Sequence, residues 1–195
     1  MLLLMMRLLT LCCLLLALFT CRETATAQSD GSGPVTGTVA ANGKLQQSPT
    51  DEGSGTPLIL RMASAEAGRN TEVCLPVEAQ DFQNLIGFQF TMRFDSSALR
   101  YERVQNFRLP GHSPNSVGTR FADRGYLSTL WTEGSLKGVS LPDRTALFEV
   151  CFTNLMPAGR ETSVRFQDGP TTFEVIDAGM GQHKIRYANG RVRSR

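Results

Sequence analysis

The sequence carries little charge and almost no imbalance between the two signs. It has 195 residues, of which 19% are charged, and its formal net charge is +2. This near balance argues against a nucleic-acid-binding protein, which normally presents a basic patch or stripe. The hydrophobic content of 41% excludes wholesale disorder, and the length allows one domain with accessories or at most two small domains.

Signatures of catalysis and of cofactor binding are missing as well. The chain has no G-x-S-x-G nucleophile elbow, no P-loop and no dinucleotide fingerprint. Its acidic residues show no calcium-loop spacing, and nothing singles out the facing carboxylates that a glycosidase needs. His112 and His183 lie in turn-rich segments without a ligand partner at i+2 or i+4, so we expect exposed loop histidines. We therefore expect a protein that is not an enzyme and holds neither a metal nor a cofactor.

The N-terminus holds the one long apolar run. Arg7 precedes an apolar segment at 8–19, and an Ala-Thr-Ala pattern ends at Ala27. This order predicts a signal peptide over residues 1–27 and a secreted, extracellular or cell-surface protein. A transmembrane anchor is one alternative, although the run is shorter than the roughly 20 residues that a bilayer requires. A lipoprotein signal ending at Cys21 is another, although the residue before it suits that peptidase poorly.

A change of composition marks the start of the predicted domain. Residues 28–57 are rich in Gly, Ser, Thr, Pro and Gln and contain scattered apolar residues. Such a segment buries too little surface to offset the entropy lost on ordering. We predict a flexible linker over 28–57 and the folded domain over 58–195.

Cysteine is scarce in the mature chain. Three of the five cysteines fall within the predicted signal peptide, which leaves Cys74 and Cys151. An even pair in an oxidising compartment predicts a disulfide, with two separate buried thiols as the alternative. Two cysteines and two distant histidines do not form a zinc-site pattern.

Apolar residues recur at every second position in several short segments, most clearly at 88–94, where the even-numbered side chains point inward. Strict alternation predicts a strand with one buried face. Segment 95–101 is the best candidate for helical structure instead of a strand, because part of it could form one helical turn. With turn residues between the strands, the pattern predicts an all-β, two-sheet sandwich of about nine strands. The candidate strands are residues 58–60, 71–78, 88–94, 99–104, 126–132, 146–152, 163–166, 172–176 and 184–187.

The parity of the two cysteines predicts where they point. Cys74 alternates with inward Val73, Leu75 and Val77. Cys151 alternates with the inward set Ala146, Phe148, Val150 and Phe152. Both cysteines therefore face away from the core. If their strands are neighbours, they form a cross-strand bridge on an outer sheet face, because opposed residues of antiparallel strands lie within disulfide reach.

The single tryptophan leaves two interpretations open. Trp131 shares one face of segment 126–132 with Leu127, but the opposite face also carries two large apolar residues. An outward Trp131 would offer a platform for a sugar ring, whereas an inward one would belong to the core.

Residues 73–101 resemble a cohesin domain. The most specific part is Gly-Phe-Gln-Phe-Thr-Met-Arg-Phe-Asp at 87–95, followed by Leu99. Segments 146–152 and 189–192 are similar to later strands of that family. The resemblance covers about residues 58–193 and implies a nine-stranded jelly roll whose second and seventh strands are neighbours, as the cysteine pair requires. The N-terminal region is similar to that of exported proteins from Bacteroidetes-like bacteria.

Cohesins bind dockerin modules, so the resemblance implies a partner-binding face on one sheet, and its alignment places Trp131 in the core. Segments 110–118 and 120–124 depart from the family pattern. The sequence also shows no dockerin repeat and no second cohesin, which leaves room for another ligand. Transferred residue by residue, the predicted binding face consists of Gly87, Gln89, Thr91, Arg93, Ser128, Leu130, Thr132 and Glu133.

Three functions compete at this point. The first is a non-catalytic module that docks a dockerin-like or other exported protein, in the setting of polysaccharide degradation. The second is direct carbohydrate binding, because the cohesin fold is related to one group of carbohydrate-binding modules. The third is an adhesive or structural surface protein, with a lipid anchor at Cys21 as one form of it. Fold analogy supports all three more than any single residue does.

Overall fold

The computed structural model describes residues 33–40, 43–47 and 53–195. The predicted signal peptide and Cys21 lie outside these residues. The described chain is built from strands, with two short 3₁₀ turns at Pro114–Ser116 and Ala122–Arg124. It contains no helix that is long and apolar enough to cross a membrane.

Strands follow one another along the whole of the described chain. All nine predicted segments overlap strands, and β14 overlaps segment 189–192, which resembles the family's closing strand. Strands β1, β2, β4 and β8 are additional and have two or three residues. The bounds are β1 Val35–Thr36, β2 Gln46–Gln47, β3 Leu58–Met62, β4 Ala65–Ala67, β5 Glu72–Gln80, β6 Leu85–Arg93, β7 Leu99–Gln105, β8 Val117–Gly118, β9 Tyr126–Thr132, β10 Thr145–Asn154, β11 Glu161–Gln167, β12 Glu174–Asp177, β13 Ile185–Ala188 and β14 Gly190–Ser194.

Two sheets of seven strands form the sandwich. The back sheet has the order β2-β13-β3-β5-β10-β7, and β1 also pairs with β5. The front sheet has the order β4-β14-β11-β6-β9-β8, and β12 also pairs with β6. Both sheets contain parallel and antiparallel pairs. The predicted all-β, two-sheet jelly-roll sandwich is confirmed.

The core lies between the inner faces of the two sheets. Phe88, Phe90 and Met92 of β6 are buried as the alternation predicts, and Phe90 contacts Phe148 of β10 across the sandwich. Burial of each such side chain stabilises the fold by roughly 1.5–3 kcal/mol. The two sheets therefore share one continuous apolar core.

Strand β10 departs from the predicted alternation at one point. A bulge between Ala146 and Phe148 shifts its register against β5. As a result Leu147 is fully buried, whereas Ala146, which was predicted to point inward, is half-buried. The extra residue of a bulge changes which side chains face the core.

Segment 95–101 contains both a single helical turn and the start of a strand. The Asp95 carbonyl accepts from the amides of Ala98 and Leu99, which closes one turn, and β7 then begins at Leu99. The Asp95 carboxylate accepts from the amide and the hydroxyl of Ser97. These bonds stabilise the turn and lower the pKa of Asp95.

The disulfide between Cys74 and Cys151 is confirmed. The two residues are direct partners on the neighbouring strands β5 and β10, with 4.0 Å between their Cα atoms. They lie outside the apolar core, but neither has any exposed surface. Glu72, which pairs with Arg103, and Gln105 lie over the bridge on the outer side of the back sheet.

Short parts of the predicted linker pair with the sandwich. Val35–Thr36 lies parallel to β5, and Gly37 donates from its amide to the Cys74 carbonyl at 2.8 Å. Gln46–Gln47 pairs with β13. Strands of two residues are too short to show an alternating pattern, so they could not be predicted from the sequence. The boundary at residue 58 stays a prediction.

Candidate binding face

The residues of the predicted binding face lie together in the front sheet, on β6 and β9 and, for Glu133, directly after β9. The register pairs Gly87 with Thr132 and Gln89 with Leu130. Directly paired residues of an antiparallel sheet share a face. Their chain neighbours, including Phe88 and Trp131, are buried on the inner face. The set therefore lies on the outer surface, and its binding of a partner stays a prediction.

Thr91 is not accessible there. It has no exposed surface, and its hydroxyl donates to the Thr171 carbonyl at 2.8 Å and accepts from the Thr171 amide at 2.9 Å. The loop between β11 and β12 therefore covers it. Alternation correctly predicted the face on which Thr91 lies but could not reveal this cover. We remove Thr91 from the set of contact residues.

Arg93 is half-buried and largely engaged within the domain. Its guanidinium stacks on the Tyr126 ring, 4.1 Å from the centroid. It also donates to the backbone carbonyls of Phe94, at 3.1 Å, and of Arg124. Gly125 has a φ of 79°, and a Cβ there would collide with the Phe94 carbonyl, so glycine is required at this turn. Arg93 thus fixes the start of β9 and places a positive charge at this end of the face.

Glu133 is also held by hydrogen bonds within the domain. Its carboxylate accepts from the amides of Ser135 and Lys137, at 3.0 Å each, and from the Ser135 hydroxyl. The bonds from Ser135 lower the pKa of Glu133. Its main role in the structure is to close the turn that follows β9.

Exposed apolar side chains mark the opposite end of the face. Leu130 is 55% exposed, and Met180, from the turn after β12, is 74% exposed. Together with Ile176 they line a cleft of about 240 Å³ on the outer side of the front sheet. Ile176 and Met180 were missed in the sequence, because β12 is short and the register that brings it beside β6 is a tertiary property.

The turn that carries Met180 is closed by a histidine–carboxylate pair. His183 Nε2 lies 2.7 Å from Asp177 Oδ2, and His183 Nδ1 lies 2.9 Å from the Thr56 carbonyl. Asp177 Oδ1 accepts from the amides of Gly179 and Gly181, and these bonds with the His183 contact lower the pKa of Asp177. Burial lowers the pKa of His183, but its bonds to Asp177 and Thr56 outweigh burial and raise it.

A second cleft, of about 590 Å³, lies on the other side of Leu130. Its walls carry amide and hydroxyl groups from Gln89, Asn115, Ser128 and Thr132. Segment 110–118, which departs from the family pattern, forms its far side through the turn Pro114–Ser116 and the strand β8.

Two buried side chains attach segment 110–118 to β9. Trp131 is 1% exposed and donates from Nε1 to the Pro110 carbonyl at 2.8 Å, so its predicted core position is confirmed. His112 is 5% exposed, which contradicts the expected exposed loop histidine. Its Nε2 lies 3.0 Å from Thr129 Oγ1, and its ring lies among phenylalanine rings that include Phe148. Burial lowers the pKa of His112 to about 4.

One group of potential metal ligands occurs in the described part of the chain: Glu72, Cys74 and Cys151. Both sulfurs belong to the disulfide, and the Glu72 carboxylate pairs with Arg103 at 2.6 Å. A thiolate ligand requires a free cysteine. This group therefore has a structural role rather than a metal-binding one.

Comparison with known proteins identifies the fold by structure and not by sequence. No family model matches the sequence. No curated protein matches it either. The structure, in contrast, matches solved cohesins.

Three of these cohesins show the extent of the likeness. A type I cohesin of Clostridium thermocellum, in complex with a dockerin, gives a TM-score of 0.61 at 12% identity and covers 72% of this chain and 100% of its own. The sixth cohesin of scaffoldin B from Acetivibrio cellulolyticus, in complex with a Cel5 dockerin, gives a TM-score of 0.61 at 16% sequence identity. It also covers 72% of this chain and 100% of its own. A non-cellulosomal cohesin from the archaeon Archaeoglobus fulgidus gives a TM-score of 0.52 at 16% sequence identity, and covers 72% of this chain and 92% of its own.

Proposed function

We propose that this chain, which has the cohesin fold, is a non-catalytic binding module that docks a dockerin-like or other exported protein. The observation that carries the proposal is the exposed apolar surface of Leu130 and Met180 on the outer side of the front sheet. Exposed apolar side chains around a cleft are typical of protein-binding surfaces. The similar cohesins of C. thermocellum and A. cellulolyticus were solved as complexes with dockerins.

The proposal places the protein outside the cytoplasm. The Cys74–Cys151 disulfide supports this location, because such bonds persist in oxidising compartments. The order of charged, apolar and small residues over 1–27 supports an exported chain as well. A setting of polysaccharide degradation is the most specific part of the proposal, and its support is the scaffoldin origin of the A. cellulolyticus cohesin.

A pull-down from the culture medium of the source organism tests the proposal. We expect the immobilised protein to retain an exported protein, and the variant Leu130→Asp to lose it, because a carboxylate at this exposed position opposes apolar contact. Arg186→Glu, on the exposed side of β13 in the back sheet, is the matched control and should retain the partner. Equal retention by Leu130→Asp and the wild type would contradict the proposed face.

Direct carbohydrate binding is a second candidate, favoured by one feature. The larger cleft beside Leu130 is lined by amide and hydroxyl groups that could bond sugar hydroxyls. Trp131 cannot serve as its stacking platform, because the side chain is buried and its Nε1 is bonded to Pro110. Affinity electrophoresis tests this candidate: retardation by a polysaccharide, reduced in Asn115→Ala but not in the exposed control Gln83→Ala, would support it, and unchanged mobility would reject it.

A further inference from the structure

Part of the predicted linker lies on the sandwich as an extended segment. Over residues 34–40 the burial alternates: Val35, Gly37 and Val39 are partly or fully buried, and the residues between them are exposed. Val35 and Val39 pack against the apolar core. Burial of every second residue is the pattern of a strand that lies against an apolar surface. Residues 34–40, which we call the arm, are therefore held by side-chain packing over a longer stretch than β1.

The arm occupies a groove at the side of the sandwich. Strand β3 ends at Met62 in the back sheet, and the chain then crosses to β4 in the front sheet, so β3 does not pair with the first half of β5. The arm fills this position. The Gly37 amide donates to the Cys74 carbonyl at 2.8 Å, and Thr38 and Ser64 exchange two backbone bonds of 2.8 and 2.9 Å. The groove thus binds the arm through backbone groups on both walls, as a site for strand addition does.

The groove is selective for the residue at its centre. A Cβ on Gly37 would lie 3.0 Å from Ala63 Cβ and from Leu75 Cδ2, which is tighter than ordinary van der Waals contact. A larger side chain at this position would lift the arm from β5, whereas a valine two positions to either side packs against the core. The groove therefore accepts the order Val-x-Gly-x-Val in an extended conformation, which residues 35–39 supply.

The chain that follows the arm is attached at a cost. Arg61 of β3 is 9% exposed and donates from Nη1 to the Gly43 carbonyl at 3.3 Å. Its Nε is buried without a hydrogen-bond partner among the described residues, and so is Oε2 of Glu78, its direct partner on β5. A buried polar atom without a partner is destabilising, and the cost is removed when water reaches the atom. This cost favours release of residues 43–47 from the back sheet.

The chain is long enough for the arm to reach a second molecule. Beyond residue 47 the described chain resumes at residue 53, and Ser54 donates from its amide to the Gln182 carbonyl at 2.9 Å. Once residues 43–47 are released, residues 41–53 tether the arm, and a chain of that length spans up to about 40 Å. This distance is similar to the diameter of a compact domain of this size. The arm of one copy can therefore reach the groove of another.

We propose that the arm exchanges between copies of this chain, so that the groove of one molecule binds residues 34–40 of a second molecule. The backbone bonds and apolar contacts are the same in both arrangements, so exchange loses none of them and is favoured by high protein concentration. In the front sheet β14 and β11 separate β4, beside the groove, from β6. The inference therefore goes beyond the proposed function and does not depend on it.

Crosslinking between copies tests the exchange. Thr38 and Ser64 are bridged partners in the structure, so cysteines at these two positions lie within disulfide reach. Full-length chains that carry Thr38→Cys and, with a different tag, Ser64→Cys are mixed and oxidised. We expect a heterodimer whose yield rises with protein concentration, with the bond between the two positions identified by peptide mapping. At low concentration a single chain with both substitutions should form the same bond internally, which shows that the crosslink itself can form.

Matched variants link the crosslink to the groove. Gly37→Leu in the Thr38→Cys chain should lower the yield about tenfold or more, because the added side chain does not fit the groove. Gly33→Leu, where a Cβ would meet nothing within 4 Å, should leave the yield unchanged. A synthetic peptide of residues 33–40 should compete, and the same peptide with leucine in place of Gly37 should not.

Three results would overturn the inference. The first is a mixture that gives no heterodimer while the doubly substituted chain closes its own bond. The second is an equal yield with Gly37→Leu and with Gly33→Leu. The third is a doubly substituted chain that forms no internal bond, because the arm would then not occupy the groove. Each of these results leaves the docking of an exported partner on the front sheet untouched.

Discussion

At the scale of single residues, the proposed docking depends on which side chains are free at the front sheet. Alternation predicted Gln89 on the outer surface and the family resemblance predicted Leu130 there, and both lie on that surface. It could not show that Thr91 is covered or that Glu133 closes a turn, because both facts depend on loops without a period. His112 was misassigned for the same reason.

The burial of His112 predicts a dependence of stability on pH. The unfolded chain binds a proton at this histidine near pH 6.5, whereas the folded chain binds it near pH 4. Between these values the unfolded state holds more protons, so stability falls as the pH is lowered through this window. We expect a loss of about 2–3 kcal/mol between pH 7 and pH 4.5 from this residue.

Urea denaturation of the wild type and of His112→Leu at both pH values measures this loss. The difference between the two proteins isolates His112 from the carboxylates and from His183. The free energy of unfolding of His112→Leu should fall less over this range. An identical fall in both proteins would show that His112 is not buried in its neutral form.

The Asp177–His183 pair gives a second residue-scale prediction. The raised pKa means that the pair stabilises the fold below about pH 6.5 and loses this contribution as the pH rises through the folded-state pKa. In Asp177→Asn the carboxylate is gone while burial remains, so the pKa of His183 should fall. A titration of the histidine Cε1–H signals by NMR measures it, with the His112 signal as the internal control. An unchanged His183 pKa would contradict the observed contact.

At the scale of elements, the long strands could be predicted and the short ones could not. Strand β6 was predicted over residues 88–94, where the sequence alternates, and it forms at Leu85–Arg93. Strands β1, β2, β4 and β8 have two or three residues and no period. The bulge in β10 shows a further limit, since one inserted residue exchanged the environments of Ala146 and Leu147. The contribution of β12 to the candidate face depends on register, which a single sequence does not contain.

The disulfide between β5 and β10 provides the prediction at this scale. It joins residues 77 positions apart, and the chain-entropy model gives about 4 kcal/mol for a loop of that length. Replacing both cysteines, Cys74→Ala with Cys151→Ala, should lower the free energy of unfolding by about this amount. The large core should nevertheless keep the protein folded. Urea denaturation with a far-UV dichroism spectrum checks both statements, and full unfolding of the double variant would refute the second.

At the scale of the whole molecule, the outer surfaces of the two sheets differ. The back sheet carries the buried disulfide beneath the Glu72–Arg103 pair on its outer side. The front sheet presents the exposed apolar side chains of Leu130 and Met180 at one end and the positive charge of Arg93 at the other. This asymmetry is why we assign docking to the front sheet rather than to the molecule in general.

Site-specific photo-crosslinking tests this assignment most directly. A photoreactive amino acid is placed at Leu130 in one variant and at Arg186, on the back sheet, in another, and each is irradiated in the organism's culture medium. We expect a covalent adduct with an exported protein from position 130 and none from position 186. Adducts of equal yield from both positions, or none from position 130, would contradict the claim that the front sheet docks an exported partner.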